Sequence, residues 1–333
     1  MSDERQAADS PQARPHAARL GRLPPQSFFL VSAVFHYLGP SLAVLLFTRL
    51  DVLGVAWLRI ASAGVVFAAW RRPFRLARKV RELTPQDRRI LLALGAVLAV
   101  MNSAFYLAVD RLPLSTVGAI EFLGPVALAA AGARTWRNAG ALLLTTAGVA
   151  AITAIRLAGH PLGFVFAFAN CALFTLYIVL GHRIANSGSG GVPGGTSGMT
   201  GIDRLGAAML IAAATAAPWG LAGALPAFRH PVLLLAGAGV GVCSSVIPYV
   251  TDQLAMARLP RATFSLMLAL LPVFATIMGA IVLRQFPTVQ DAAGIALVVA
   301  GLAIHQETRQ ESMRNPRPEP AARTRAAPPG RAG

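Results

Sequence analysis

Two ionisable residues, Glu121 and Arg59, stand inside long apolar stretches of this chain. A charged side chain in hydrocarbon costs about 2.5–3.5 kcal/mol on insertion scales, so each residue needs a partner or a water-filled cavity. Glu121 could bind the amine of a small molecule or carry a proton; the alternative is a structural hydrogen bond to a neighbouring helix. Arg59 could clamp a carboxylate with two parallel hydrogen bonds, or it could simply neutralise Glu121. The two residues predict a polar site within a membrane.

Polar side chains also recur at helical spacing in other apolar stretches. Asn102 and Tyr106 are one turn apart and therefore share a helix face, and Asn170 and Tyr177 are two turns apart. A structural role is the alternative for these side chains, and a solvated position near a span end is the alternative for Asp252. The remaining candidates for substrate binding or coupling are His36, Tyr249 and Asp252.

Pro125 and Pro272 each lie in the middle of an apolar stretch. A proline inside a helix removes one backbone donor and leaves a local break. Such a break can accept a ligand or act as a hinge, so both prolines are predicted hinges. Close helix packing around neighbouring small residues is the alternative.

These residues require membrane helices to position them. The chain is 55% hydrophobic and only 13% charged, which is typical of a protein with many membrane spans. One crossing needs about 20 mostly apolar residues. On that basis the chain is an all-α membrane protein with ten transmembrane helices, near residues 27–47, 52–70, 89–108, 113–133, 138–156, 161–182, 203–225, 231–252, 261–283 and 288–305.

The positive charges test this count. With the N-terminus inside, 24 of the 30 Lys and Arg residues fall on the cytoplasmic side, five fall on the opposite side, and Arg59 lies within a span. Cytoplasmic loops of membrane proteins carry such an excess. The distribution predicts ten spans with both termini cytoplasmic. It also argues against nucleic-acid binding as the reason for the net charge of +16.

A duplication divides the spans into two halves. Leu107-Ala108 with Arg111-Leu112-Pro113 recurs as Leu254-Ala255 with Arg258-Leu259-Pro260. Because five spans separate the copies, the second copy must enter the membrane from the opposite side, as in the inverted repeats of secondary transporters. The predicted organisation is a disordered cytoplasmic tail (1–26), a first five-helix repeat (27–158), a second repeat (159–305) that contains a Gly/Ser-rich loop (186–201), and a second disordered cytoplasmic tail (306–333).

The order of short motifs across residues 27–305 resembles the drug/metabolite transporter superfamily, in the ten-helix form with two EamA domains, and within it the threonine/homoserine exporters. The motifs are Leu58-Arg59-Ile60, Met101-Asn102, Phe105-Tyr106-Leu107, Glu121-Phe122-Leu123-Gly124-Pro125, Pro248-Tyr249, Arg258-Leu259-Pro260 and the stretch 264–272. The resemblance implies a multi-pass carrier of the plasma (inner) membrane that exports amino acids or related small metabolites. In such families the transport path lies between two helical bundles, and proton exchange commonly drives export.

The chain also departs from those exporters. They carry acidic residues just before the second-repeat proline and at the end of span nine, where this chain has Leu271 and Gln285. Proton coupling through the second repeat therefore does not carry over, and the transfer of substrate specificity is weakened. The asymmetry favours chemistry in the first repeat, with Glu121, over the second, with Leu268 in register.

Three alternatives to an amino-acid exporter follow from the same residues. A drug or cationic-compound exporter of the same superfamily suits Glu121 equally well. An intramembrane enzyme would need a catalytic constellation, and a channel would need a pore ring or filter loop; neither pattern is recognisable. The expected partners are a small-molecule substrate, the lipid bilayer and, for coupling, protons. No cofactor and no metal site are expected, and a homodimer is left open.

Overall fold

The computed structural model describes residues 24–124, 127–128, 136–156, 160–186, 199, 201–256 and 270–314. Every regular element in these ranges is a helix. The helices are α1 (Pro25–Leu46), α2 (Val52–Arg71), α3 (Pro73–Arg81), α4 (Pro85–Val109), α5 (Leu114–Glu121), α6 (Trp136–Arg156), α7 (Pro161–Asn186), α8 (Gly201–Arg229), α9 (Pro231–Gly241), α10 (Ile247–Met256), α11 (Leu271–Leu283) and α12 (Val289–Arg314). One π-helical turn, Val242–Val246, joins α9 to α10.

Six stretches among the described residues are long and apolar enough to cross a membrane. They lie in α1, α2, α4, α7, α8 and the combined α9–α10 segment, and they correspond to six of the ten predicted spans. Three shorter apolar helices, Ala139–Ala151, Leu271–Leu283 and Val289–Gly301, correspond to spans five, nine and ten. Span four is represented by α5, beyond which part of the predicted span lies outside the described residues. The protein is thus an all-helical multi-pass membrane protein.

Local sequence explains where several helices begin. The Asp51 carboxylate accepts hydrogen bonds from the backbone N–H groups of Leu53 and Gly54, at 2.9 and 3.2 Å, and so caps α2. Thr84 caps α4 in the same way, through the backbone N–H of Asp87. Several helices have proline in their first turn, among them α1, α3, α4, α7, α9 and α11. Proline is suited to that position because the N–H that it lacks would have no partner there.

Two predicted boundaries differ from the structure. The basic connector after α2 contains a short helix, α3, that apolar length cannot reveal. The helix α12 continues to Arg314, so residues 306–314 of the predicted C-terminal tail are helical. Pro272 lies in the first turn of α11, and residues 261–269 of predicted span nine lie outside the described residues, so its role as a hinge stays a prediction. Pro125, most of the loop 186–201 and most of both predicted tails lie outside the described residues.

The helices pair in a pattern that joins the two halves of the chain. The contacts include those of α2 with α8 and α9, α4 with α7 and α8, α6 with α12, α5 with α11, and α1 with α11 and the α9–α10 segment. Gln285, just after α11, accepts a hydrogen bond from the backbone N–H of Leu114 at 3.1 Å. The N-terminus of α5 is therefore fixed to the second half of the chain.

The pairing of α2 with α8 depends on direct backbone approach at Gly54. A Cβ atom added at Gly54 would overlap the carbonyl group of Gly223, which is backbone and cannot rotate away. Small residues permit this kind of contact between membrane helices. We expect Gly54→Leu to lower the thermal midpoint of the purified protein by about 5 °C or more, because overpacking costs about 1–3 kcal/mol or more.

The matched control for this prediction is Gly239→Leu, since no heavy atom lies within 4 Å of a Cβ built at Gly239. The measurement is the melting curve of each variant in the same detergent, with its elution profile. Equal midpoints for the two leucine variants would show that the Gly54 contact does not hold α2 against α8.

Candidate functional site

Glu121 is the last residue of α5 and is 8% exposed. The turn at Phe122 ends the helix there. A proline four residues later, at position 125, lacks the N–H that would bond to the Glu121 carbonyl, which explains the interruption. The Glu121 carboxylate accepts a hydrogen bond from the side-chain amide of Asn170 at 3.2 Å. Asn170 lies on α7 and is 1% exposed, so the acidic group is held between the two halves of the chain.

Arg59 is half-buried on α2 and faces residues of α4 and of the π-helical turn. Its guanidinium carbon lies 5.4 Å from the ring centroid of Tyr106, within the range of a cation–π contact. Its Nε atom donates to the Ser245 hydroxyl at 3.4 Å. Among the salt bridges of the described residues, none joins Arg59 to Glu121. The two charges influence each other electrostatically, but they do not neutralise each other by direct contact.

Among the described residues, several buried polar atoms on the helices around these charges have no hydrogen-bond partner. They are the hydroxyl groups of Tyr37, Tyr106, Thr116 and Ser244, and the side-chain oxygen of Asn170. A buried polar group without a partner costs about 1–3 kcal/mol, so each such group calls for a physical explanation. These atoms come from α1, α4, α5, α7 and the π-helical turn. Together they offer donors and acceptors that water or a polar ligand could satisfy.

The π-helical turn itself is part of this polar layer. It contains Ser244 and Ser245, each 1% exposed. A Cβ added at Gly39 on α1 would collide with Ser244, so α1 packs directly against the turn. Short π-helical insertions occur frequently at functional sites, because the widened turn alters the direction of nearby side chains.

The second group of predicted residues lies beside the first. Tyr249, half-buried on α10, interacts electrostatically with Arg59 and Glu121, and also with Tyr177 and Asp252. Asp252 interacts with Ser32 of α1. His36 packs edge-on against Tyr37 at a distance of 5.2 Å between ring centroids. It also interacts electrostatically with Arg59. One connected network therefore links Glu121, Asn170, Arg59, Tyr106, His36, Tyr249, Tyr177 and Asp252.

Asn102 differs from the other candidates. It is buried on α4, one turn before Tyr106, and its side-chain amide donates to the Leu98 carbonyl of the same helix at 2.7 Å. This bond uses one of the two N–H groups of the Asn102 side-chain amide. No group of three or more His, Cys, Asp or Glu residues arranged to hold a metal ion occurs in the described part of the chain.

Sequence reasoning missed four polar residues of this layer as site candidates: Tyr37, Thr116, Ser244 and Ser245. The two adjacent serines in an apolar run could have indicated the site. Neighbouring residues point in different directions around a helix, so two successive hydroxyls predict a polar surface wider than one helix face. Thr116 gave no signal, since single hydroxyls are common in membrane helices and bond readily to their own backbone.

An all-helical bundle that holds charged and hydroxyl groups in its interior has the architecture of a membrane protein with a polar site between its helices. Residues 161–305 match the EamA-like transporter family. The threonine/homoserine exporter RhtA of Salmonella typhimurium (strain LT2) is 30% identical over 282 residues, covering 82% of this chain and 88% of that protein. The chain belongs to the EamA-like transporter family, within the drug/metabolite transporter superfamily.

Two further comparisons agree with this assignment. The threonine/homoserine exporter RhtA of Escherichia coli (strain K12) is 29% identical over 283 residues, again covering 82% of this chain and 88% of that protein. A solved crystal structure with 20% sequence identity superposes with a TM-score of 0.53, over 86% of this chain and 98% of its own. That likeness concerns the fold alone. The predicted family is confirmed, and it is a family of transporters rather than enzymes.

Proposed function

We propose that this protein is a secondary exporter of small amino acids of the threonine/homoserine type, which are bound between its two halves. The observation that carries the proposal is the separation of Glu121 from Arg59: a buried carboxylate and a half-buried guanidinium with no salt bridge between them. A zwitterionic amino acid carries the two complementary charges. Its ammonium group would pair with Glu121 and its carboxylate with Arg59, so that binding satisfies both protein charges at once.

Side-chain specificity would come from the unpartnered hydroxyls. Threonine and homoserine each carry one hydroxyl, which can both donate and accept. The Tyr37, Tyr106 and Ser244 hydroxyls lack partners in the described structure and could meet it. A site built to hydrogen-bond a hydroxyl rejects an analogue that lacks it, because its own polar groups then stay unpaired. The two RhtA exporters bear names that fit this substrate class.

We also propose alternating access between two inverted five-helix halves with both termini cytoplasmic. The helix pairing supports this arrangement because it has the symmetry of a repeat. If spans one to five are exchanged with spans six to ten, each of the following contacts becomes itself or another observed contact. The contacts of α2 with α8, α5 with α11 and α6 with α12 map onto themselves, and the contact of α1 with α9–α10 maps onto that of α4 with α7. Pro125 and Pro272 remain the predicted hinges, and protons the predicted coupling ions.

The second candidate function is export of organic cations. The amide contact between Asn170 and Glu121 favours it, since the carboxylate has no basic residue bonded to it in the described structure. A cation needs Glu121 alone, whereas an amino acid needs Arg59 as well. The two functions therefore make different demands on Arg59.

The direct test of the proposal is transport by the purified protein in liposomes. We expect efflux of labelled threonine from liposomes that contain the protein to be faster than that from empty liposomes, because a zwitterion crosses a bare bilayer slowly. Unlabelled homoserine should compete with it, while valine, which has no hydroxyl, should compete weakly. Transport of a hydrophobic cation with no response to threonine or homoserine would contradict the amino-acid proposal and favour the second candidate.

A further inference from the structure

A basic cavity of about 420 Å³ lies outside the intramembrane site, where the end of α2 meets α3 and the start of α8. One acidic residue, Asp203 of α8, is buried in its wall at 2% exposure. Arg71 Nε and Lys79 Nζ contact the two oxygens of this carboxylate at 2.6 and 2.8 Å. The carboxylate holds α2 and α3 against α8 and so shapes one wall of the cavity.

The cavity has three further cationic residues in addition to the two that contact Asp203. Arg72, Arg75 and Arg78 also line it. Arg78 contacts Glu82 at 3.5 Å, but both side chains are largely exposed, at 75% and 60%, so water screens that pair. Arg72 and Arg75 take part in none of the salt bridges of the described residues. The cationic residues that line the cavity therefore outnumber its one lining carboxylate, Asp203, and the cavity carries an excess of positive charge.

The backbone conformation between α2 and α3 positions the arginines of the cavity. Arg72 has a φ of 61°, a conformation that is uncommon for residues other than glycine. The chain therefore turns sharply between α2 and Pro73, the first residue of α3. Leu76 is 3% exposed, so one face of α3 packs against the bundle. Arg72 and the docked face of α3 together keep the arginines at one rim.

Two exposed aromatic residues accompany these arginines: one lines the cavity, and the other precedes Arg75 in the sequence. Trp70, at the end of α2, also lines the cavity and is 53% exposed, and Phe74 of α3 is 89% exposed. Large apolar groups next to a charged cavity are unfavourable in water but suit the boundary between headgroups and hydrocarbon. A free anion would gain nothing from them, whereas a lipid would bury them beside its acyl chains.

We propose that this cavity binds the phosphate headgroup of an anionic phospholipid, with Arg72, Arg75 and Arg78 around the phosphate and Trp70 beside the glycerol and acyl chains. The charge distribution predicts that the arginine-rich side of the protein is cytoplasmic, and the cytoplasmic leaflet is the one with negatively charged lipids. Arginine suits this ligand because its planar guanidinium donates two parallel hydrogen bonds to phosphate oxygens. The site lies apart from the intramembrane network and does not depend on the identity of the transported substrate.

The test is native mass spectrometry of the purified full-length protein, titrated with phosphatidylglycerol or phosphatidylcholine. We expect phosphatidylglycerol to bind in preference, and the double variant Arg75→Gln/Arg78→Gln to lose about 25-fold in affinity, at about fivefold for each arginine near a membrane surface. Arg75→Lys/Arg78→Lys keeps the charge and should retain most of the binding. The matched control is Arg81→Gln/Arg89→Gln, which removes two exposed arginines that do not line the cavity.

Equal loss in the control variant would show that total charge, not this cavity, attracts lipid and would overturn the proposal. Undiminished binding by the Arg75→Gln/Arg78→Gln variant would do the same. A third arm adds inorganic phosphate to the lipid-bound protein. We expect no displacement at 100-fold excess over lipid, whereas full displacement would assign the cavity to a free phosphate anion. Elution as a single peak with an unchanged melting curve identifies variants that remain folded.

Discussion

Threonine efflux from liposomes should fall by about one to two orders of magnitude when Glu121 is replaced by glutamine. Glutamine has nearly the same shape and can still accept a hydrogen bond from Asn170, so the helix contacts of the buried residue persist. What disappears is the negative charge that would hold the substrate ammonium group. Hydrogen bonds to charged groups contribute about 1.5–3 kcal/mol, which corresponds to the expected loss. The measurement is the initial rate of labelled threonine efflux at equal amounts of reconstituted protein.

Glu82→Gln is the matched control for this substitution. Glu82 is the same residue type on the same chain, but its side chain is 60% exposed and its contact with Arg78 is screened by water. It should transport at the wild-type rate. If Glu121→Gln also transports at that rate while remaining folded, the carboxylate is a structural group and the site assignment is wrong.

A second measurement on Glu121→Gln separates substrate binding from proton coupling. Exchange of labelled for unlabelled threonine across the liposome membrane requires the substrate site but no net proton movement. If Glu121 only carries a proton, the variant should retain exchange while losing efflux driven by a pH gradient. If Glu121 binds the ammonium group, as we propose, exchange and driven efflux should fall together.

Much of the site could be predicted from sequence because charge in hydrocarbon is rare and expensive. That argument singled out Glu121 and Arg59 without any knowledge of packing. It could not pair Glu121 with Asn170, which lies 49 residues away on a helix of the other half. Nor could it decide between a salt bridge and separate contacts for Arg59, since the answer depends on how α2 packs against the π-helical turn.

The fold could likewise be predicted only in part from the sequence. Apolar length alone located the long helices, because a membrane span must satisfy its backbone internally. Apolar length did not predict α3, because this helix is short and basic, with Leu76 buried. Tertiary contact, not composition, decides such points.

Arg59 should determine whether the transporter distinguishes amino acids from amines. We expect wild-type protein to prefer threonine over threoninol, the analogue in which a hydroxymethyl group replaces the carboxylate, by about 10- to 100-fold, because a charge-assisted contact with the guanidinium is worth about 1.5–3 kcal/mol. Arg59→Met preserves length and apolar contact with Tyr106 but removes the cation. In this variant the preference should disappear, chiefly through loss of threonine transport.

Arg59→Lys provides the graded control, because lysine keeps the charge but cannot donate two parallel hydrogen bonds to a carboxylate. It should show a preference between those of the wild type and the methionine variant. The readout is the ratio of the two efflux rates, which a change in protein amount or general stability leaves unaffected. If wild-type protein transports threoninol as well as threonine, and Arg59→Met leaves that ratio unchanged, the guanidinium only stacks on Tyr106 and supports the helix contact. The carboxylate of Glu121 would then define the site alone, as the organic-cation alternative requires.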